Sequence, residues 1–362
     1  MSPPPLVTVL MAVHNGIRYL DDAVHSILRQ TFADFEFLIL DDGSTDGTGE
    51  RLATWRDPRI HVVRTEANIG LTRSLNRGLA LARGTFVARQ DADDVSHPER
   101  LAAQVARLRE APAVAVVGTQ ARTIDAHGRT VRVAPWPKSV SSLAIGWQLI
   151  FDSPFFHGSV LFRKDVIWSL LGGYNETFDT SQDFELWSRV AAAGHPMNNL
   201  PGAHLSFRVH GASVSSRYGL EGVDRLRAVL QSNLATALGS DAMPEEWPDA
   251  WIRLNNPRVY PRSADPPAVV ARAIEMIHQR FVVRHSEARD NPEIRRHLAA
   301  MLIRVATAGA ERGWMSSLGP YARGCRLDAA TGVHAAPRYL ARLVLGQLKV
   351  GAARPERVQG PQ

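Results

Sequence analysis

LVTVLMAVHNGIRYLDDAVHSILRQTFADFEFLILDDG, residues 6–43, decides the fold class. Leu6 to Val13 is an apolar, β-rich run with Pro5 before it and Asn15-Gly16 after it, which reads as a buried strand rather than a helix. Ile17, Leu20, Val24, Ile27 and Leu28 then recur at helical spacing up to Gln30. Phe35 to Leu40 is a second apolar run, and it stops at Asp41-Asp42-Gly43. Strand, helix and strand in this order predict a mostly parallel sheet covered by helices on both faces.

The alternation continues outward from this segment. The spacing predicts a helix over Thr45 to Trp55, a strand over Ile60 to Val63, a helix over Leu71 to Ala82 and a strand over Thr85 to Ala88. A helix from Pro98 to Arg109 and a strand from Ala113 to Val117 follow. The proline-broken stretch from Ala134 to His157 reads as a loop with a short helix, and Phe184 to Ala193 as a helix ended by Gly194-His195-Pro196. After Gly219 the chain turns Ala- and Arg-rich, with helical segments broken by Pro257, Pro261, Pro266 and Pro267. Two regions are therefore expected, an α/β domain over 1–222 and a basic, mainly helical region over 223–362.

Composition limits the function classes. With 362 residues, 45% hydrophobic and 22% charged, the chain is of the globular class. Its single cysteine, Cys325, excludes a disulfide framework and a cysteine-rich zinc site, and suits a reducing compartment such as the cytoplasm. The amino end has no basic residue before its first apolar run and no small-residue cleavage site after it, so no signal peptide is predicted. No apolar run approaches the roughly 18 residues a membrane span needs. The formal net charge is +6, and from Trp251 onward 18 Arg or Lys face 8 Asp or Glu. Such a tail meets nucleic acid, an anionic membrane or only water; the solvated helical face is the reading taken, with no nucleic-acid partner. Tyr339, Leu340, Leu343, Val344 and Leu348 with Arg338, Arg342 and Lys349 outline a basic amphipathic helix suited to peripheral contact with the inner face of a membrane, or to packing on the rest of the chain.

The chemistry lies where the strands end. Ligands of such sheets bind beyond the carboxyl ends of the strands, and His14-Asn15, Asp41-Asp42 and Asp91-Ala92-Asp93-Asp94 all fall there. A hard divalent cation, magnesium or manganese, takes oxygen ligands from one or two carboxylates plus substrate phosphates. In an extended segment Asp91 and Asp93 share a face and Asp94 points elsewhere; Asp94 or Ser96 is then equally readable as the cap of the next helix. Asp183 is readable as a helix N-cap and His210 as a surface histidine. Trp136, Trp147 and Trp187 are more often core than sugar platforms at such positions.

Taken together, VTVLMAVHN, FLILDDGSTDGT, NIGLTRSLNRGLALARGTFVARQDADD, HGSVLFRK, GGYNETFDTSQDFELWSR and FRVHGASVS resemble the inverting glycosyltransferase family 2, with its GT-A nucleotide-sugar fold. The likeness runs from about Val7 to Ser216. It implies a metal-dependent transfer from a nucleotide sugar of UDP, dTDP or GDP type to a glycan or lipid-linked acceptor, in surface polysaccharide or cell-envelope glycan synthesis. By the resemblance, Ala12, His14, Asn15, Asp42, Asn68, Arg73 and Asp91 bind the nucleotide sugar. Asp93 and His210 are the metal ligands, and Asp183 is the general base. The family often has Glu-Asp where this chain has Gln182-Asp183, which keeps the base and removes a carboxylate beside the acceptor. His157 and Gln182 are the acceptor-side candidates; His157 either faces the acceptor or holds the fold. A nucleotidyltransferase would show a Gly-rich loop with Lys after the first strand, where this chain has His14-Asn15-Gly16-Ile17-Arg18. A non-catalytic nucleotide-sugar-binding module has no use for Asp42, Asp93, Asp183 and His210 together.

Overall fold

The structure, a computed structural model, describes residues 3–131, 138–211, 223–239, 247–255, 267–311 and 317–352. Trp136 and the residues after 211 up to the expected boundary at 222 lie outside them. Four strands run parallel: β1 (Val7–Val13), β2 (Phe35–Asp41), β3 (Ile60–Arg64) and β4 (Phe86–Asp91). β1 lies between β2 and β4, and Val7, Val9, Leu10 and Met11 are wholly buried. Burial on both faces is why its sequence is a near-continuous apolar run, interrupted only by Thr8, instead of an alternating one. Helices α1 (Ile17–Leu28), α2 (Thr48–Leu52), α3 (Leu71–Leu81) and α4 (Arg100–Glu110) connect or follow these strands. α1 buries Leu20, Ala23, Val24 and Ile27, the helical spacing seen in the sequence. α2 is shorter than the Thr45 to Trp55 expectation. Asp46 accepts from the Thr48 backbone N–H (3.1 Å) and hydroxyl (2.5 Å), and Gly47 is left-handed (φ 93°), so residues 45–47 form a turn.

The sheet changes character beyond β4. Its strand order is β3-β2-β1-β4-β7-β6-β8-β5 once β5 (Val95–Ser96), β6 (Val116–Ile124), β7 (Leu161–Arg163) and β8 (Met197–Arg208) are added. β7 is antiparallel to both β4 and β6, β8 is parallel to β6, and β5 is antiparallel to β8. β6 continues to Ile124, past the Val117 end expected from the apolar run, because β8 pairs with it over its whole length. β8 itself was not expected. Pro201-Gly202 and His204 break its apolar pattern, and the pairing slips in register opposite Gln120. α5 (Ser142–Leu149), capped by Ser141 on the Ala144 N–H, is the short helix of the proline-rich stretch. α6 (Gln182–Ala192) begins earlier than expected. Trp147 and Trp187 are fully buried core residues.

Backbone packing separates two compact units, Met1–Ala237 and Leu238–Gln362. Helix α7 (Val223–Leu238) precedes α8 (Trp247–Asn255), α9 (Pro267–Arg284), α10 (Pro292–Glu311), α11 (Leu318–Leu327) and α12 (Ala329–Ala352). Within the second unit Tyr321 stacks on Tyr339 with ring centroids 4.1 Å apart. Among the described residues no helix is long and apolar enough to cross a membrane. α12 exposes Val333 and Leu340, with Arg338 exposed beside Tyr339; the side chains at 343–352 are outside the described set.

Candidate active site

Register brings the polar clusters together. Ala12 on β1 pairs with Leu40 on one side and with Asp91 on the other, and Val13 pairs with Asp41. The loop after β1 is laced to the loop after β2: His14 Nδ1 lies 2.7 Å from the Asp42 carbonyl, Asn15 donates its N–H to Ser44 Oγ (3.0 Å), and Asn15 Oδ1 accepts from the Thr45 N–H (2.8 Å). Asp42 is buried. Its Oδ1 accepts from Thr65 Oγ1 (3.2 Å) and the Ile69 N–H (2.9 Å), and its Oδ2 accepts from the Gly70 N–H (3.0 Å). Asn68 shares that Gly70 N–H at 2.9 Å. Arg73 is exposed and lies 3.6 Å from Glu176.

The acidic cluster is a turn, and the turn redistributes its carboxylates. Asp91 closes β4, and the Asp94 N–H returns to the Asp91 carbonyl (3.3 Å). Extended alternation, which pairs Asp91 with Asp93, therefore stops at Asp91. The carboxylate neighbours are instead Asp91 and Asp94: a Cβ on Gly158 would lie 2.8 Å from Asp91 Oδ2 and 2.9 Å from Asp94 Oδ2. Asp93 turns to His210, whose Nε2 is 2.9 Å from Asp93 Oδ2. Neither Asp94 nor Ser96 caps α4. The cap position is Glu99; Asp94 Oδ1 accepts from the Arg208 N–H (2.8 Å), and Ser96 Oγ donates to Gln90 Oε1 (2.6 Å).

Three buried arginines surround the turn. Arg89 donates to the Leu10 and Gln90 carbonyls (both 2.9 Å) and to Asp91 Oδ1. Arg100 donates to the Gly158 and Arg89 carbonyls. Arg208 reaches the Asp93 carbonyl (2.7 Å) and Asp22 (2.9 Å), with its guanidinium 4.5 Å from the Tyr19 ring centroid. These charges sort the carboxyls. Burial pushes Asp91 upward, but the charge and hydrogen bond of Arg89, with the Arg100 charge, outweigh it and hold it below the usual carboxylate range. Burial and the Asp91 charge raise Asp93. Asp94, almost wholly buried with Oδ2 unpartnered, is raised furthest, by burial and by both neighbouring carboxylates. Burial lowers Arg100 to about 10.

On the far side of Arg89, its Nε donates to His157 Nε2 (3.3 Å), and the Tyr174 hydroxyl lies 2.8 Å from the same nitrogen. Burial and the Arg89 charge push His157 down to about 4, so the ring is neutral and Nε2 is an acceptor. His157 is thus tied into the fold through that nitrogen. Asp183 lies within electrostatic reach of both His157 and Tyr174. It sits inside the first turn of α6; the N-cap position is the left-handed Ser181 (φ 60°), so Asp183 is not the cap. Its Oδ2 accepts from Ser153 Oγ at 3.4 Å. Gln182 beside it is buried. Sequence reasoning missed Arg100, Arg208 and Tyr174. Arg208 stood two residues before a singled-out histidine, and Tyr174 within a quoted motif; nothing local marked Arg100.

The donor set at Asp93 and His210, one carboxylate and one imidazole with room in the coordination shell for phosphate oxygens, fits manganese or magnesium. Among the described residues no third His, Cys, Asp or Glu completes a protein-only metal cage.

Solved structures define the class. S. aureus TarS 1–349 in complex with UDP-GlcNAc superposes with a TM-score of 0.55 at 19% identity, covering 95% of this chain and 92% of that one. The mannosyltransferase PcManGT from Pyrobaculum calidifontis, in complex with GDP-Man and Mn2+, gives 0.51 at 21% identity over 92% and 87%. The fold is the GT-A glycosyltransferase fold. The Glycosyl transferase family 2 model matches residues 8–171. EpsE of Bacillus subtilis (strain 168) is 33% identical over 238 residues, 64% of this chain and 83% of that protein. The O-antigen biosynthesis glycosyltransferase WbnJ of Escherichia coli is 32% identical over 217 residues, 58% and 81%. The chain belongs to glycosyltransferase family 2.

Proposed function

We propose that this glycosyltransferase moves a hexose, with inversion, from a nucleoside-diphosphate donor to a hydroxyl of a glycan or lipid-linked acceptor in surface-polysaccharide synthesis. The observation that carries the reading is the 2.9 Å contact between Asp93 and His210, 117 residues apart, beside the Ala12–Asp91 register pair. Ala12, His14, Asn15, Asp42, Asn68, Arg73 and Asp91 bind the donor; the unfilled lone pair on Asp42 Oδ2 accepts a base N–H. Asp93 and His210 hold the divalent ion, which supplies Lewis-acid stabilisation of the diphosphate charge. Asp183 is the general base. The acceptor oxygen bonds to the anomeric carbon as the bond from that carbon to the diphosphate oxygen breaks. The hydroxyl proton passes to an Asp183 oxygen, and the nucleoside diphosphate leaves. Gln182, and His157 through Tyr174, shape the acceptor side.

TarS, PcManGT and WbnJ support the donor, metal and pathway class by what they bind or are named for. Exposed Val333, Leu340 and Arg338 on α12 support a peripheral hold on the inner membrane face. The test is a thermal-shift screen of UDP, GDP and dTDP sugars with and without manganese. One donor should raise the midpoint in a manganese-dependent way, and His210→Ala should remove the manganese dependence. No shift with any donor would sink the reading. Vesicle flotation with and without residues 336–362 tests the membrane contact; equal binding by both forms excludes it.

A further inference from the structure

Helix α3 joins the donor side of the site to the segment that leads into Asp183. At its start the Ile69 and Gly70 N–H groups are fixed by the Asp42 carboxylate. One turn on, Thr72 Oγ1 donates to the Phe178 carbonyl (2.7 Å). Asn76, only 7% exposed, engages the 173–178 segment three times. Its Nδ2 donates to the Tyr174 carbonyl (2.8 Å) and to Glu176 Oε1 (3.0 Å), and its Oδ1 accepts from the Tyr174 N–H (2.8 Å). The approach is close enough to require glycine next door: a Cβ on Gly173, at φ 79°, would lie 2.6 Å from Asn76 Oδ1. From the other side, Arg189 on α6 donates to the Leu171 (2.8 Å) and Gly173 (2.7 Å) carbonyls. The segment held between these grips carries Tyr174, whose hydroxyl meets His157, and runs on through Ser181 to Asp183.

A backbone segment with no strand or helix of its own must satisfy its polar groups elsewhere, and here the buried Asn76 and Thr72 of α3 and the half-buried Arg189 of α6 do so. We propose that Asn76 is a positioning residue for the transfer reaction: it fixes the 173–178 segment, and through it Asp183, to the same helix whose first turn is held by the donor-binding Asp42. Neither Asn76 nor Thr72 touches the reacting groups. The inference rests on the assignment of Asp42 to the donor and Asp183 to the acceptor. Nucleotide bound at Asp42 then restrains 67–71 directly and 171–181 through α3.

Hydrogen–deuterium exchange on the full chain tests this with UDP, GDP and dTDP as probes and manganese present. In the parent protein the nucleotide that binds should slow exchange both in 67–71 and in 171–181. Asn76→Ala should keep the protection at 67–71 and lose it at 171–181. In donor-turnover assays its kcat should fall by about 10- to 100-fold, the scale of a misplacement on the order of 1 Å, with nucleotide Kd within about threefold. Thr72→Val, which removes one hydrogen bond at similar volume, should show the same pattern more weakly and covers the case in which Asn76→Ala fails to fold. Protection at 171–181 that survives Asn76→Ala, or a kcat equal to the parent's, overturns the positioning role while leaving the donor site intact. Absence of protection at 67–71 with all three nucleotides overturns the donor assignment itself.

Discussion

The two halves of the sheet are built on different logic. In β3-β2-β1-β4 all strands are parallel, and each polar group of the site sits at the carboxyl end of the strand that delivers it: His14 after β1, Asp42 after β2, Asp91 at the end of β4. In β7-β6-β8-β5 antiparallel pairings enter, and the groups that matter arrive from far along the chain. Arg208 meets Asp94 across 114 residues and His210 meets Asp93 across 117. The parallel half presents a row of carboxylates; the mixed half returns the cations, the histidines and Asp183 that make them useful. The seam between them is Arg89 against His157 and Arg100 against the Gly158 carbonyl.

The comparison breaks most visibly at Asp183. Asp183→Asn should lower transfer by about 10²- to 10⁴-fold, the usual contribution of a positioned base, while calorimetry finds nucleotide affinity unchanged; loss of both together would mean that the halves do not divide donor from acceptor work. Next comes the seam itself. Arg89→Met takes the buried guanidinium away from the part-exposed Asp91 carboxylate and from the Leu10 and Gln90 carbonyls, and should cost about 1–3 kcal/mol in a urea denaturation series. A stability equal to the parent's would show that Arg100 alone suffices to hold the turn. Gly158→Ala pushes a methyl between the Asp91 and Asp94 oxygens and should cost about 1–3 kcal/mol.

The smallest effect belongs to the parallel half alone. Burial opposes ionisation of Glu36, but hydrogen bonds from Thr8 and Arg83 prevail and hold its carboxyl below the ordinary value. A carboxyl lowered on folding adds stability above its unfolded pKa and loses it as pH falls through the folded one. Glu36→Gln should therefore cost about 1 kcal/mol at neutral pH, and the gap from the parent should close on acidification below about pH 4. A gap independent of pH would assign the loss to packing.

How much was legible in the sequence follows the same division. β1 and β2 are apolar but for Thr8 and Glu36 because both faces are covered, and β4 opens with Phe86–Ala88, so strands, fold class and the Asp42 and Asp91–Asp94 clusters were all readable. β8 was hidden by Pro201-Gly202, and with it the reason for Arg208. Period-two reasoning grouped Asp91 with Asp93, and the turn at 91–94 regrouped Asp91 with Asp94. Nothing local marks Arg89 or Arg100 as buried. Their burial is decided by carbonyls and carboxylates that the chain supplies elsewhere.

The return of Arg208 and His210 to the acidic turn also sets a clock on biosynthesis. At a synthesis rate of about 5–20 residues per second, the ribosome takes roughly 6–23 s to travel the 117 residues from Asp93 to His210. For that interval Asp93 and Asp94, just after β4, wait for partners that do not yet exist. Water or free cations must serve those two carboxylates until β8 and His210 emerge, whereas the open edge of β4 is closed earlier, by β7.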